Sequence, residues 1–272
     1  MLQTNTILSF LQYRLRSRHW SSFHSPYLFR LFTYCCDEKN VFPEFNEIEN
    51  IRTNLIANTN HIERTDFGAG SRMETLSPER SISSIARHSL SLPFQCRFLF
   101  RLMKLVNPVA VIEFGTSLGI ATSYLARGNQ GSQIITVEGD PILASMAGEL
   151  FIQQDIKNIR LFNSTFEDFI RMELPQIPTI DLVFLDGNHK SEPLLEYYHA
   201  LKPFFNSNTI VVVDDINWST DMRQGWIALT EIPEVTQTVD CYQFGMLFFS
   251  GDFLNKENHS IRLPLKAFSH SK

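Results

Sequence analysis

The sequence predicts an α/β fold with a doubly wound, mostly parallel sheet, and three observations support this prediction. Short apolar runs that suit buried strands alternate with helix-compatible segments from residue 106 to about residue 250. The first apolar run is followed by a glycine-containing turn and a helix, which is the opening unit of a nucleotide-binding α/β domain. Segments 235–240 and 244–250 then predict an antiparallel pair that closes the sheet.

The opening unit lies in residues 106–126, which read VNPVAVIEFGTSLGIATSYLA. Its apolar run, 109–114, predicts a strand that is buried on both faces, and the residues from 120 onward favour a helix. Gly115 and Gly119 lie between them, and because glycine has no side chain the backbone can approach a ligand closely there. The spacing Glu-x-Gly-x-x-x-Gly differs from the Gly-x-Gly-x-x-Gly of a dinucleotide site, which argues against a dehydrogenase.

Polar groups around this turn suit a charged ligand. Thr116 and Ser117 offer hydroxyl and N–H groups at a helix start, where the helix dipole favours a carboxylate or a phosphate. Glu113, at the end of the strand, offers an acceptor for a ligand ammonium group. The second predicted strand, 132–138, ends in Glu138, roughly 20–25 residues beyond the first glycine, where an acid can accept hydrogen bonds from ribose hydroxyls.

Two later strands also end in acidic residues. The predicted strand 179–186 ends in Asp186, and the predicted strand 209–215 ends in Asp214 and Asp215. Ligands of open α/β sheets bind at the carboxyl ends of the strands, so these three carboxylates are expected to converge there. They would repel one another unless a cation or a cationic substrate is present, and hard oxygen ligands favour Mg²⁺, Mn²⁺ or Ca²⁺ over zinc.

Composition excludes several classes of partner. The chain of 272 residues has a net charge of −5, from 24 basic and 29 acidic residues, so it lacks the basic surface expected of a nucleic-acid-binding protein. It has no apolar run of the ~20 residues that a membrane span requires. Its four cysteines form no C-x-x-C pair, which favours reduced thiols in a cytoplasmic protein. The expected partner is a small-molecule substrate, with no nucleic acid and no membrane, and a homodimer stays open.

Residues 1–90 are expected to form a helical cap ahead of a cofactor-binding domain at 91–272. Segment 6–16 has apolar residues at helical spacing, a second helix is capped by Ser25, and 45–57 predicts a third helix. The segment has no obvious flexible linker to the rest of the chain.

Two features near the end of this cap concern loops. Residues 66–72, DFGAGSR, imitate a cofactor turn, but residues 61–65 before them are too polar for a buried strand. They predict either a loop that folds over the site or a plain surface turn. Ser77 followed by Pro78 predicts a helix N-terminus, with Ile82 on the inward face of that helix.

The motif E-F-G-T-S-L-G resembles the first motif of class I S-adenosylmethionine (SAM)-dependent methyltransferases, written (D/E)-x-G-x-x-x-G. The resemblance implies a Rossmann-like methyltransferase sheet and covers roughly residues 106–250. In that family the acid at the position of Glu138 holds the cofactor ribose, and the loop after the third strand meets the adenine. Helix capping by Ser164 or Thr165 is an equal alternative for that loop. The implied SAM-binding residues are Glu113, Gly115, Thr116, Ser117, Gly119, Glu138, Ser164, Thr165, Phe166 and Asp186.

The motifs L-D-G-N-H-K and V-D-D-I-N-W resemble the metal-dependent, catechol-type O-methyltransferases. Carried over, the resemblance implies that Asp186, Asp214 and Asp215 hold a divalent cation, although Asp215 stands where that family has asparagine. His189 stands at the position of that family's lysine, and an imidazole of pKa near ~6.5 suits a general base at neutral pH. The pattern L-D-G-x-H also resembles a broader bacterial group of small-molecule methyltransferases.

The sequence therefore predicts SAM-dependent O-methylation of a small molecule, with Asp186 and His189 as catalytic residues and a cation such as Mg²⁺ left open. Two alternatives remain. One is a metal-independent methyltransferase that uses His189 and Asp186 alone. The other is a SAM-binding protein without catalysis, whose cap is a docking surface, but such a protein needs neither of these two side chains.

Overall fold

A mixed sheet of eight strands organises the computed structural model, which describes residues 2–63, 79–251, 253 and 255–268. A separate two-stranded ribbon pairs β1 (His61–Glu63) antiparallel with β2 (Glu79–Ser81). In spatial order the main sheet consists of β10 (Glu257–Ser260), β8 (Gln237–Asp240), β9 (Gly245–Phe248), β7 (Phe205–Val213), β6 (Ile180–Leu185), β3 (Ala110–Phe114), β4 (Gln133–Glu138) and β5 (Ile159–Asn163).

The strand order makes the sheet doubly wound, as the sequence predicted. Strands β5, β4, β3, β6 and β7 are mutually parallel, and the chain moves outward from β3 in both directions. Strand β9 is antiparallel to β7 and to β8, which confirms the predicted closing pair. The boundary between β3 and β6 is the topological switch point, where open α/β sheets bind ligands beyond the carboxyl ends of the strands.

Helices cover both faces of this sheet and bury two apolar clusters. One cluster contains side chains from the helices α2 to α7, and the other contains side chains from α8 to α10. Successive strand residues such as Val111 and Ile112 belong to different clusters because strand side chains alternate between the faces. The helices are α1 (Leu2–Arg16), α2 (Pro26–Cys35), α3 (Pro43–Ala57), α4 (Ile82–Ser89), α5 (Pro93–Val106), α6 (Ile120–Gly128), α7 (Pro141–Gln153), α8 (Phe166–Met172), α9 (Ser191–Leu201) and α10 (Thr220–Glu231).

Local capping chemistry sets several of these boundaries. Ser25 accepts a hydrogen bond from the Leu28 N–H at the start of α2, as predicted. The predicted helix start at Ser77 is wrong, because α4 begins at Ile82 and its cap is Ser81. Ser77 itself lies outside the described residues, as do residues 66–72, so the prediction for that loop stays a prediction.

The N-terminal helices pack directly on α5 through aromatic side chains. Phe32 of α2 lies 5.6 Å, between ring centroids, from Phe98 of α5, and Phe45 of α3 lies 4.9 Å from Phe100. These side chains belong to the same buried cluster as Val111 of β3. Aromatic packing against α5 thus joins α2 and α3 to the buried cluster that includes the sheet.

A buried arginine of α5 donates hydrogen bonds to two backbone carbonyls, one at the end of α2 and one in the loop before α3. Arg101 is 1% exposed. Its Nη1 donates to the Cys35 carbonyl at 3.2 Å, and its Nη2 donates to the Asn40 carbonyl at 3.0 Å. The four cysteines are buried and form no disulfide bond. Among the described helices, none is long and apolar enough to cross a membrane.

We expect Arg101→Met to lower the free energy of unfolding by about 1–3 kcal/mol, because methionine fills the space but leaves the buried carbonyls of Cys35 and Asn40 without donors. Urea unfolding followed by circular dichroism measures the change. Arg30→Met, at an exposed position of α2, is the matched control and should change it much less. Equal effects of the two substitutions would show that the Arg101 hydrogen bonds do not stabilise the fold.

Candidate active site

The candidate site lies at the carboxyl ends of β3, β4, β6 and β7. Beyond the last residue of β6, the Asp186 N–H donates to the Phe114 carbonyl of β3 at 2.9 Å. Beyond the last residue of β7, the Asp214 N–H donates to the Leu185 carbonyl at 2.8 Å. These two bonds continue the sheet by one residue, so the acids that follow adjacent strands are held side by side.

The glycine turn packs against the end of β6. Gly115 has φ = +103°, and a β-carbon at this position would overlap the Asp186 carbonyl group, whose carbon would be 2.8 Å away. Gly119 has φ = +80° and caps α6. Both the positive φ and the close approach favour glycine at position 115. The turn is therefore fixed against the backbone of Asp186.

Glu113 lies inside β3 and is 0% exposed. Its Oε2 accepts hydrogen bonds from the hydroxyls of Thr122 in α6, at 2.5 Å, and Thr136 in β4, at 2.7 Å. Its Oε1 is buried without a hydrogen-bond partner among the described residues. Burial raises the pKa of Glu113 to about 7, against the opposing effect of the two threonine bonds.

Thr116 belongs to the same buried network. Its hydroxyl shares a hydrogen bond of 2.6 Å with Thr136, and the residue is 2% exposed. The hydroxyl therefore faces the sheet interior next to Glu113. Its side chain supports the turn from within, and its position does not favour direct contact with a ligand.

Glu138 folds back onto the glycine turn. Its Oε2 accepts from the Ser117 N–H at 2.8 Å, and its Oε1 accepts from the Asp140 N–H at 3.0 Å. Ser117 has φ = +48°, a conformation that is uncommon for a residue with a side chain. The Ser117 hydroxyl is buried and makes no hydrogen bond within the described residues. The structure thus brings the predicted ribose acceptor next to the turn, with an unsatisfied hydroxyl beside it.

The loop after β5 has a clear structural role. Thr165 caps α8 by accepting from the Asp168 N–H at 3.1 Å. The Ser164 N–H donates to the Glu138 carbonyl at 3.0 Å, which keeps this loop beside the end of β4. Phe166 stacks on Phe114, with 4.7 Å between the ring centroids and 4° between the planes. Of the three residues considered for adenine contact, Thr165 caps a helix and Phe166 packs on Phe114 of β3.

Two carboxyl groups lie together at the ends of β6 and β7. Burial, followed by the neighbouring charge of Asp214, raises the pKa of Asp186 well above its usual value. Burial, followed by the charge of Asp215, raises the pKa of Asp214 to about 7. Each carboxyl group therefore holds its proton more tightly than an isolated carboxylate does.

Asp215, the second acid after β7, lies beside His189. It has φ = +52°, and its Oδ2 lies 3.8 Å from Nε2 of His189. The His189 side chain is 22% exposed, and its ring centroid lies 5.6 Å from that of Trp218. Burial lowers the pKa of His189, although the charge of Asp214 opposes the shift. At neutral pH the imidazole is therefore mostly neutral and can accept a proton.

These positions do not form the predicted metal site. No group of three or more His, Cys, Asp or Glu side chains in the described part of the chain is arranged to hold a metal ion. The Asp186 carboxyl accepts from Ser91, and Oδ2 of Asp215 lies 3.8 Å from Nε2 of His189. The prediction that Asp186, Asp214 and Asp215 share a cation is therefore not supported by the donor geometry.

Two residues at the start of α5 belong to the site, and the sequence did not point to them. The Ser91 hydroxyl donates to Oδ2 of Asp186 at 3.1 Å. Gln95 is 3% exposed and lies close enough to lower the pKa of Asp214. Its Nε2 is buried and makes no hydrogen bond within the described residues. No motif marks these residues, because they precede the strand–turn–helix unit.

The residues of this site lie in a stretch of the chain that matches a known family. Residues 112–216 match the family model of a methyltransferase domain. The matched stretch covers less than half of the 272 residues, but it includes the glycine turn, Glu138, His189 and both acidic strand ends. No curated protein is significantly similar to the chain in sequence.

Several solved structures share the fold. The O-methyltransferase TomG from Streptomyces achromogenes, solved with SAM, has a TM-score of 0.53 and 20% identity, over 60% of this chain and 83% of TomG. An O-methyltransferase from Bacillus cereus, in complex with SAH, has a TM-score of 0.52 and 16% identity, over 80% and 97% of the two chains. The SAH-bound methyltransferase PaMTH1 from Podospora anserina has a TM-score of 0.54 and 14% identity, over 84% and 97%. The predicted Rossmann-like methyltransferase sheet is confirmed.

The buried acid of β3 generates a pH-dependent prediction. Because the pKa of Glu113 is about 7 in the folded chain and 4.5 ordinarily, the folded state binds the proton more tightly. The contribution of Glu113 to the free energy of unfolding is therefore largest below pH 4.5, and it is lost as the pH rises through about 7. Glu113→Gln removes this titration. Between about pH 5 and about pH 8 we expect the unfolding free energy of the unmodified chain to fall by on the order of 2 kcal/mol more than that of the variant.

Urea unfolding across this pH range measures the difference. Glu149→Gln, at an exposed position of α7, is the control and should keep the pH dependence of the unmodified chain. If Glu113→Gln also keeps that dependence, the proton is not bound at Glu113.

Proposed function

We propose that this chain, whose residues 112–216 match a methyltransferase domain, transfers the methyl group of SAM to a hydroxyl oxygen of a small molecule. The observation that carries the proposal is the meeting of three features at one edge of the sheet. These are the glycine turn, an acid at the end of β4, and a mostly neutral His189 just beyond β6. Together they supply a cofactor cradle and a proton acceptor.

Unsatisfied polar atoms around the turn support SAM as the bound group. Oε1 of Glu113 and the hydroxyl of Ser117 are buried without partners in the described chain, and such atoms cost free energy until a ligand or water pairs with them. Glu138 is a carboxylate at the ribose-binding position of the resembled family. The amino and carboxylate groups of a methionine moiety have the chemistry to pair with Glu113 and Ser117, respectively.

The chain's own residues then have two tasks. Bound SAM supplies an already activated methyl group, so the protein needs to align the reactants and remove a proton. His189 takes the proton from the acceptor hydroxyl as the oxygen bonds to the methyl carbon. The imidazolium that forms is stabilised by the Asp215 carboxylate, 3.8 Å away. Asp186 and Asp214 line the edge between His189 and the glycine turn and orient the acceptor.

The proposed mechanism does not require a divalent cation. The described residues do not provide the three-carboxylate donor set that the catechol-type resemblance implied. The hydroxyl of Ser91 also occupies one oxygen of Asp186. We therefore assign deprotonation to His189 without metal assistance.

We expect His189→Ala to lower turnover by about 10²–10⁴-fold, the range for loss of a general base, while SAM and SAH still bind. Calorimetry with SAM and SAH measures binding. Transfer of labelled methyl groups to a panel of phenols and sugars, beginning with catechol, measures turnover. His199→Ala, at an exposed position of α9, is the matched control and should retain activity.

Two results would contradict this assignment in different ways. Failure of the unmodified chain to bind SAM or SAH would overturn the methyltransferase function itself. Retained turnover in His189→Ala would overturn only the role of His189. Binding of SAM without transfer to any acceptor would favour a cofactor-binding protein without catalysis.

For the cation, we expect no saturable binding heat when Mg²⁺ is titrated into the SAM-loaded chain, since the described carboxylates do not converge on one point. A chelator should leave turnover unchanged. Saturable Mg²⁺ binding that disappears in Asp214→Asn would instead establish the metal site that the sequence predicted.

A further inference from the structure

A buried polar chain connects the N-terminal helices to the candidate active site. It begins at Tyr124 of α6, whose hydroxyl donates to Oε1 of Glu49 in α3 at 2.8 Å. Glu49 pairs with Arg52, one helical turn later, at 3.0 Å. Both members of this ion pair are almost fully buried, with exposures of 6% and 4%. Buried charges of this kind are costly unless their hydrogen-bonding groups are satisfied.

The remaining donors of Arg52 contact the segment that leads into α5 and the first turn of that helix. Its Nη1 donates to the Ser91 carbonyl at 2.9 Å, and its Nη2 donates to the Cys96 sulfur at 3.2 Å. The Cys96 thiol in turn approaches the Ser91 carbonyl at 3.4 Å. Two contacts thus converge on the Ser91 carbonyl, and their donors, Arg52 and Cys96, also contact each other. Because Arg52 is anchored by Glu49 and Cys96, the Ser91 backbone has little freedom to move.

The side chain of Ser91 reaches the opposite way, into the site. Its hydroxyl donates to Oδ2 of Asp186 at 3.1 Å, across 95 residues of sequence. The Asp186 carboxyl also lies close enough to Asp214 and Asp215 for their charges to raise its pKa. The hydrogen bond from Ser91 to Oδ2 restricts the rotamers that the Asp186 side chain can adopt.

We propose that Ser91 is a positioning residue for Asp186 and that Arg52, held by Glu49, fixes Ser91 in the orientation the reaction needs. This inference rests on the proposed function for the role of Asp186. It extends the working site beyond the methyltransferase domain match at 112–216 and makes α3 part of it. The N-terminal segment is then required for catalysis through Arg52 as well as for packing.

The test compares single substitutions in the full chain. With SAM as donor and catechol as the probe acceptor, Ser91→Ala should lower kcat about tenfold, since small misplacements of catalytic groups cost one to two powers of ten. The KM for SAM should stay within about twofold. Ser91→Thr, which keeps the hydroxyl, should restore most of kcat. Arg52→Met should reproduce the kcat loss although Arg52 does not touch Asp186.

Ser83→Ala is the matched control. The Ser83 hydroxyl also donates to a backbone carbonyl, that of Ile56, and it lies outside the site. Its removal should leave kcat unchanged. Unchanged kcat in both Ser91→Ala and Arg52→Met would overturn the proposal, as would failure of Ser91→Thr to recover activity.

A second readout does not depend on turnover. Hydrogen exchange of the amides at 186–189 should accelerate in Ser91→Ala and in Arg52→Met, and it should stay unchanged in Ser83→Ala. If catechol is not methylated by the unmodified chain, this exchange pattern still decides whether Ser91 and Arg52 hold Asp186. Unaltered exchange in both variants would overturn the proposal whether or not SAM binds. Loss of SAM binding in the unmodified chain would overturn the proposed function instead.

Discussion

The close approach of the glycine turn to the end of β6 is the constraint on which the site depends. Gly115 lies against the Asp186 carbonyl at a distance that leaves no room for a β-carbon. The Asp186 N–H bonds back to Phe114, the residue before that glycine. The glycine turn and Asp186 are therefore parts of one rigid junction between adjacent strands. A side chain at position 115 would separate the turn from the end of β6.

Charge is the second constraint, because the same edge concentrates acids in a buried environment. Glu113, Asp186 and Asp214 all have raised pKa values, with burial as the largest cause. The fold offsets this cost with hydroxyl donors from Thr122, Thr136 and Ser91. The acids also retain protons at a pH where exposed carboxyls are ionised. His189 lies beside Asp215, and burial lowers the pKa of its imidazole.

Local sequence patterns predicted most of the elements that form this edge. Apolar runs marked the five parallel strands, and the pairing of β8 with β9 followed from two short runs around a turn. Local signals were misleading at one place and absent at another. The Ser-Pro pair at Ser77 imitates a helix start, yet α4 is capped four residues later by Ser81. Strand β10, with the sequence ENHS, has no apolar alternation and forms only by pairing with β8 at the sheet edge.

The sequence by itself determined the order of strands and helices, the glycine turn and the presence of acids at three strand ends. These features depend on neighbouring residues and on the backbone preferences of glycine, so they can be read along the chain. Only the tertiary structure decided the surroundings of the acids: Asp186 accepts a hydrogen bond from Ser91, Asp214 is buried, and Asp215 lies 3.8 Å from His189. Side-chain direction at a strand end depends on contacts with residues far away in sequence, and no local pattern encodes those contacts.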